Sequence, residues 1–262
     1  MRFSYTDTTT ITLTTDGVDI STQLITSGTL VSTTNTTSSV TLTGSLTCNL
    51  LSSGCGGLDI GAKASNKGYY IFVITKTDAQ DAPALLCSLS DVAPIMPSDY
   101  THRSKPIWFI SNNSNSDIRE FTHVNRRCSY VNLDDCLALA SGLSYGDWGL
   151  IECSALVPNN STVSMETWAT ATDTVTWDEE TEEGLQLLET EAVKIRRGDH
   201  NSYHLLLWMD IIKNSGDDTR KARTFPLVDS ELGLLYTWLT DPDTGPPGRP
   251  SLNVTIHGWI LR

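Results

Sequence analysis

The chain has 262 residues, of which 39% are hydrophobic and 19% are charged, so it is long enough to bury a substantial core. Its 18 basic and 31 acidic residues give a net charge of −13, which repels phosphate backbones and argues against a nucleic-acid partner. The sequence has no apolar run of the ~18 residues that a membrane span requires, so no membrane insertion is expected, and its start, MRFSYTDTTT, predicts neither a secretory signal nor a transit peptide.

The first fifty residues are rich in small hydroxylated side chains, with 17 threonines and 7 serines, and no charged residue occurs between Ile20 and Leu58. The segments TITLT (10–14) and SVTLT (39–43) alternate polar and apolar residues with a period of two, which predicts strands. An uncharged β edge promotes association, so we expect this segment to be covered by its own domain or by a neighbouring chain. Residues 1–50 are therefore predicted to form a Thr/Ser-rich β arm for attachment and oligomerisation.

A glycine-rich stretch leads into the most strand-like segment, YYIFVIT (69–75). That segment is continuously apolar or aromatic, which predicts a central strand buried on both faces. Asp59 lies within the stretch and is expected to accept backbone N–H bonds in an Asx-type turn rather than to do chemistry. Positive φ angles that allow the preceding turn are predicted at Gly54, Gly56, Gly57, Gly61 and Gly68.

From residue 69 onward, short strand-like segments alternate with turn signals and show almost no helical periodicity. This pattern predicts an all-β fold, an antiparallel β-sandwich of jelly-roll type over residues 51–262. Two segments, 133–143 and 179–195, are compatible with a helix or a strand. Strands are predicted near Tyr69–Thr75, Leu85–Ser90, Pro106–Ser111, Ile118–Val124, Gly149–Ser154, Thr162–Thr170, Val193–Arg197, His204–Asp210, Leu234–Leu239 and Leu252–Ile260.

The six cysteines follow no CxxC spacing, and the histidines near them are too few for a zinc site, so no metal and no cofactor are expected. The sequence leaves open whether Cys48 and Cys55, which flank a turn, form a disulfide. The same question stays open for Cys128 and Cys136.

Three patterns resemble catalytic motifs, and each is explained better as structure. The string GLSYG places Ser144 in a G-x-S-x-G context, but the strand–turn–helix setting of a hydrolase elbow is absent. His200 and His204 precede a strand-like segment, where residues four apart lie about 13 Å from each other and cannot share a metal ion. The acidic run 178–183 favours a solvated loop over the opposed carboxylates of a glycosidase. No catalytic residue is predicted, and an esterase or glycosidase is the remote alternative.

Trp168 and Trp177 adjoin polar and acidic turns and are candidates for a flat glycan-stacking surface. Such a surface corresponds to a second function, that of a receptor-binding fibre tip that recognises host-surface glycan.

The segments GGLDIGAKASNKGYYIFVI (56–74) and ALLCSLSDVAPIMPSDYTHRSKPIWFISNNSNSDIREFTH (84–123) resemble a module that recurs in virion proteins of tailed bacteriophages. The chain departs from that pattern at Ser98-Asp99 and at Lys105-Pro106. The residues that follow the pattern are Leu58-Asp59, Asn66, Tyr69-Tyr70, Pro94, Pro97, Tyr100-Thr101, Arg103, Ile118 and Phe121.

The resemblance implies a non-enzymatic structural component of a tailed-phage virion, such as an appendage, fibre, collar or decorating protein, docked through its N-terminal arm. It implies assembly in the host cytoplasm and exposure on the particle exterior. The expected partners are copies of the same chain, as a homotrimer, and other virion proteins.

Overall fold

A computed structural model describes residues 1–26, 29–30, 37–76, 83–139, 149–151, 154–158, 161–170, 191–197, 207–211, 219–224, 234–238 and 251–261. The predicted all-β class is confirmed, because one short 3₁₀ turn, Asp134–Cys136, is the sole helical element in these ranges. The strands are β1 (Arg2–Tyr5), β2 (Thr10–Thr26), β3 (Thr29–Leu30), β4 (Thr37–Asn49), β5 (Gly57–Leu58), β6 (Gly68–Thr75), β7 (Ala84–Ser88), β8 (His102–Ser104), β9 (Trp108–Ser111), β10 (Phe121–Val124), β11 (Arg127–Tyr130), β12 (Leu137–Leu139), β13 (Gly149–Ile151), β14 (Ser161–Thr170), β15 (Glu191–Arg197), β16 (Leu207–Ile211), β17 (Thr219–Thr224), β18 (Leu234–Trp238) and β19 (Ser251–Leu261).

The chain divides into two compact units. Unit 1 comprises Met1–Asp135 and Ala155–Pro158, and unit 2 comprises Cys136–Ser154 and Asn159–Arg262. In unit 1, strands β1 to β9 form one curled sheet with the order β1-β2-β8-β6-β7-β5 along its main path. Its strand pairs are antiparallel except for the two-residue β5–β7 pair, in agreement with the predicted sandwich.

The N-terminal segment forms a long hairpin of β2 and β4 that belongs to this sheet. β4 pairs with one edge of β2 from Thr10 to Gln23, while β1 and β8 pair with the other edge at its two ends. The register shifts at Gly17, which has φ +72°. This one-residue bulge changes the phase of the alternation, so that Leu13 and Ile20 both face the core. The use of residues 1–50 as an attachment arm stays a prediction.

Strand β6 is central and buried on both faces, as predicted from its continuous apolar run. It pairs with β7 along one edge and with β9 and β8 along the other. Phe72 and Ile74 pack with Leu86 on one side of the β6–β7 pair, where Met96 and Tyr100 of the following loop cover them. Ile71 and Val73 alternate with them along β6 and are also fully buried.

The turn before β6 is built as the sequence predicts at three of its five glycines. Gly54, Gly56 and Gly61 have positive φ angles, whereas Gly57 and Gly68 do not, so the prediction is wrong at those two positions. Gly57 is required for a different reason, because a Cβ atom there would lie 2.3 Å from the backbone oxygen of Ser52.

Asp59 accepts backbone N–H bonds, as the sequence predicts, although its partners are not those of an Asx turn. Its Oδ1 accepts the backbone N–H of Ile60 at 2.8 Å, and its Oδ2 accepts the backbone N–H of Ile95 at 3.0 Å. The carboxylate therefore joins the glycine-rich turn to the loop that covers β6 and β7.

The fold corrects the disulfide candidates. Cys48 forms a disulfide with Cys87 of β7, not with Cys55, and Cys55 is exposed with its Sγ 3.0 Å from the hydroxyl oxygen of Tyr100. Cys128 and Cys136 are buried, and no disulfide joins them to each other. The sequence suggested pairs that are close along the chain, whereas the fold brings Cys48 of β4 to Cys87 of β7, which is 39 residues away in sequence.

Strand β1 is attached to β10 through a buried histidine. The backbone N–H of Phe3 donates to Nδ1 of His123 at 2.7 Å, so Nε2 carries the proton and donates it to the carbonyl oxygen of Asn125. The rings of Phe3 and Trp108 stack with centroids 5.3 Å apart, and the His123 ring lies 4.0 Å from that of Trp108. This attachment requires the neutral imidazole.

Stability is expected to fall on acidification because of His123. Burial lowers the pKa of His123 below its ordinary value of 6.5, and the N-terminal amine and Arg2 lower it further. Between 6.5 and the lowered pKa, the unfolded chain binds the proton and the folded chain does not, so the free energy of unfolding decreases as the pH falls through this window, by up to about 1.4 kcal/mol per pH unit.

Urea unfolding at several pH values from 5 to 8 measures this slope. His123→Gln removes the titrating group, so its unfolding free energy should depend less on pH in this window. Equal slopes for the two proteins would contradict the assignment.

In unit 2, β14 pairs with β17 on one edge and with β19 on the other, and β12 pairs with β19. A separate four-stranded sheet has the order β13-β18-β15-β16. Part of each ambiguous segment is strand: β12 lies within 133–143, and β15 begins within 179–195.

Candidate functional site

The residues singled out for chemistry lie mostly outside the described ranges. Trp177, Ser144, His200, His204 and the acidic run 178–183 fall there. Trp168 lies in β14, opposite Asn253 of β19 and Lys221 of β17. Among the described residues, no group of three or more histidine, cysteine or acidic side chains is placed to hold a metal ion.

Two other histidines, His102 and His123, are hydrogen-bonded strand residues. His123 attaches β1, and His102 in β8 has its Nδ1 3.2 Å from the carbonyl oxygen of Lys76. Arg119 is buried and donates to neutral acceptors, including the Ser111 hydroxyl at 2.7 Å and the Asp135 carbonyl at 2.8 Å. These contacts connect segments of unit 1 and give the side chains of His102, Arg119 and His123 structural roles.

The edges of the sheet in unit 1 differ in how they are covered. The outer side of β1 uses the Phe3 N–H to bind His123 of β10. The outer side of β7 pairs with β5, at Gly57 and Leu58. Both edges are therefore occupied by residues of the same unit, at least in part.

Part of the outer edge of β4 is unpaired among the described residues. Within the described residues, β2 is the sole strand that pairs with β4, and from Thr37 to Thr43 its outer backbone has no partner in the part of the chain that the structure describes. These seven residues extend for about 24 Å. Val40 and Leu42 are buried, whereas Ser39, Thr41 and Thr43 are exposed, so the strand has one apolar and one hydroxyl-rich face.

The edge of β2 that faces away from β4 is less suited to pairing with another strand than the outer edge of β4. Between its pairs with β1 and β8, residues 15–21 have no strand beside them among the described residues. That stretch includes the Gly17 bulge and the exposed carboxylates of Asp16 and Asp19, which are features that discourage edge-to-edge pairing. β4 has no charged residue, and its one distortion, Gly44 at φ +84°, lies beyond Thr43.

This arrangement provides backbone hydrogen bonding to another strand. An extended segment added to β4 would gain a ladder of N–H···O=C bonds, and the absence of charge means that no ion has to be desolvated. The uncharged composition was visible in the sequence. The sequence did not show which strand has the unpaired edge, because either β2 or β4 could have been an interior strand.

A second exposed feature lies on the loop that covers β6 and β7. Leu89, Val92 and Ile95 are between 52% and 64% exposed, and Ile60 of the glycine-rich turn is 62% exposed. The Asp59–Ile95 hydrogen bond brings the loop and the turn together. This apolar group was not predicted from the sequence, because Ile60 is distant along the chain from Leu89, Val92 and Ile95.

Within the described part of the chain, no helix has the length and apolar character needed to cross a membrane. Comparison with known proteins returned no matching family model, no matching curated protein and no matching solved structure.

Proposed function

We propose that this protein is a non-enzymatic structural component of a tailed-phage virion, of the appendage, fibre, collar or decorating type. It assembles through its N-terminal segment by strand addition and is exposed on the particle exterior. The phage assignment rests on the sequence resemblance over residues 56–123.

The observation that carries the assembly function is the open, uncharged edge of β4. A protein with a net charge of −13 repels other acidic surfaces, yet this edge lies within a stretch without charge, from Ile20 to Leu58. The exposed hydroxyls of Ser39, Thr41 and Thr43 can form cross-strand contacts with a second strand. Assembly is the activity that this geometry supports best.

The test is recovery of the protein with particles. Particles made in a host that expresses the full chain with a C-terminal epitope tag are purified on a density gradient, and the tag is located by immunogold labelling. The proposal expects the tag in the particle band and on the particle exterior. A protein that remains in the free fractions, although particles form, would refute the virion assignment.

Receptor binding is the competing function, and it concerns Trp168 and Trp177. A glycan array separates the two functions, because a structural component gives no specific glycan signal. A signal lost in both Trp168→Ala and Trp177→Ala, with particle incorporation retained, would favour the fibre tip.

A further inference from the structure

We propose that the occupant of the β4 edge is the β4 strand of a second copy of this chain, paired antiparallel about a two-fold axis near Val40. This inference deepens the proposed function and rests on it for the role of the edge. Its own support is the self-complementarity of the strand between Thr37 and Thr43.

The length of the regular edge determines where the axis lies. β4 begins at Thr37, and the positive φ of Gly44 interrupts the extended backbone after Thr43. An antiparallel pair that uses the whole stretch has its axis at the midpoint, Val40. Thr37 of one copy then lies opposite Thr43 of the other, and Ser39 lies opposite Thr41.

The alternation of β4 agrees with this register. Residues directly opposite each other in an antiparallel pair point to the same face of the sheet. With the axis at Val40, Ser39 meets Thr41 on the exposed face and Val40 meets Val40 on the buried face. A shift of one residue would place hydroxyl side chains opposite buried apolar ones. The register with Val40 opposite Val40 is therefore favoured.

Electrostatics permit self-association here in spite of the large net charge. The nearest described carboxylates on the adjoining strand are Asp16 and Asp19, and the hydroxyl of Thr41 donates to Asp19. Both acidic residues lie one strand in from the edge, so β2 of one copy and β2 of the other are three strand spacings apart, about 14 Å. This separation exceeds the Debye length of about 8 Å at physiological salt, so their repulsion is largely screened.

An isologous pair of this kind closes with two copies. It therefore gives a dimer and not the homotrimer expected from the sequence. A seven-residue ladder is a small interface, so we expect a dissociation constant on the order of 1–100 µM.

Sedimentation velocity of the full chain over a range of concentrations tests the pair. The expected result is a monomer–dimer equilibrium in which Ser39→Lys raises the dissociation constant at least about tenfold, since the two introduced lysines lie about 7–8 Å apart across the axis. Ser45→Lys is the matched control: it makes the same change on the same face of β4, beyond Gly44, and should leave the equilibrium unchanged. Circular dichroism and melting curves confirm that both variants are folded.

A covalent test reports the register. In a Cys55→Ser background, the double variant Ser39→Cys/Thr41→Cys should oxidise to a disulfide-linked dimer, because each introduced thiol faces one of the partner copy. A monomer at every concentration, a trimer, or equal weakening by Ser39→Lys and Ser45→Lys would overturn the inference.

Dimerisation and particle incorporation are measured separately, so each proposal can be refuted without the other. Ser39→Lys protein that is monomeric but still incorporated as fully as wild type shows that the self-pair is not the docking device, and the virion role stands. Protein that dimerises as expected but is absent from purified particles removes the virion role and leaves the pair.

Discussion

Removal of residues 1–50 is expected to unfold unit 1 rather than to release a dispensable arm. Among the described residues, this segment buries eight apolar side chains, of which seven are large and contribute about 1.5–3 kcal/mol each, or about 10–20 kcal/mol together, while a typical domain is stable by about 5–15 kcal/mol. The truncated chain should lack cooperative urea unfolding and should bind a hydrophobic dye. The eight residues are Phe3, Ile11, Leu13, Ile20, Val40, Leu42, Cys48 and Leu50.

The matched control keeps the segment and alters its exposed face. Thr14 and Ser45 are exposed neighbours on β2 and β4, with hydroxyl oxygens 3.4 Å apart. Replacing both by alanine should change the free energy of unfolding by less than about 1 kcal/mol. A truncated protein that unfolds cooperatively, with wild-type stability, would show that the N-terminal strands are an independent arm.

Truncation of residues 1–50 is not a test of docking. Loss of particle incorporation after truncation would follow from unfolding alone and would say nothing about attachment. Single substitutions on the β4 edge, such as Ser39→Lys, address attachment because that side chain is exposed.

Gly57→Ala is expected to cost more than about 4 kcal/mol, an exceptional value for a single methyl group. The added Cβ would lie 2.3 Å from the oxygen and 2.6 Å from the carbonyl carbon of Ser52. Both contacts are with backbone atoms, which the Leu58 N–H bond to the Ser52 oxygen, at 2.8 Å, holds in place. Urea or thermal unfolding of the full chain measures the loss.

Gly61→Ala is the control, because it adds the same methyl group to another glycine of the same turn. Gly61 has φ +78°, and nothing lies within 4 Å of a Cβ built there, so its cost is the left-handed backbone alone, about 1–2 kcal/mol. If the two alanine variants were equally stable, the close approach of the chain at Ser52 would not be a constraint on the fold.

The central strand β6 was predictable because its residues are locally distinctive. YYIFVIT is apolar at consecutive positions, and a strand can bury such a run only with layers on both sides. The prediction needed no knowledge of the neighbouring strands. β2 and β4 were predictable on a similar basis, since their segments 10–14 and 39–43 alternate with a period of two.

Strand β8 was missed because its residues are polar. His102, Arg103 and Ser104 are each less than 8% exposed, yet their sequence is typical of a turn. Their polar groups are satisfied by distant parts of the chain: the Val73 N–H donates to the Ser104 hydroxyl, and Arg103 donates to the carbonyl of Val92. A buried polar strand looks like a loop until the partners that satisfy it are known.

The sequence by itself determined the all-β class, the central position of β6, the structural role of Asp59 and the absence of charge between Ile20 and Leu58. These properties depend on the order of residues within about ten positions. Tertiary structure alone decided that Cys48 meets Cys87, that His123 binds β1, that β8 is buried and that, among the described strands, β4 rather than β2 has the regular unpaired edge. Each of these depends on which strands lie side by side, and strand pairing between residues tens of positions apart leaves no periodic signal in either strand.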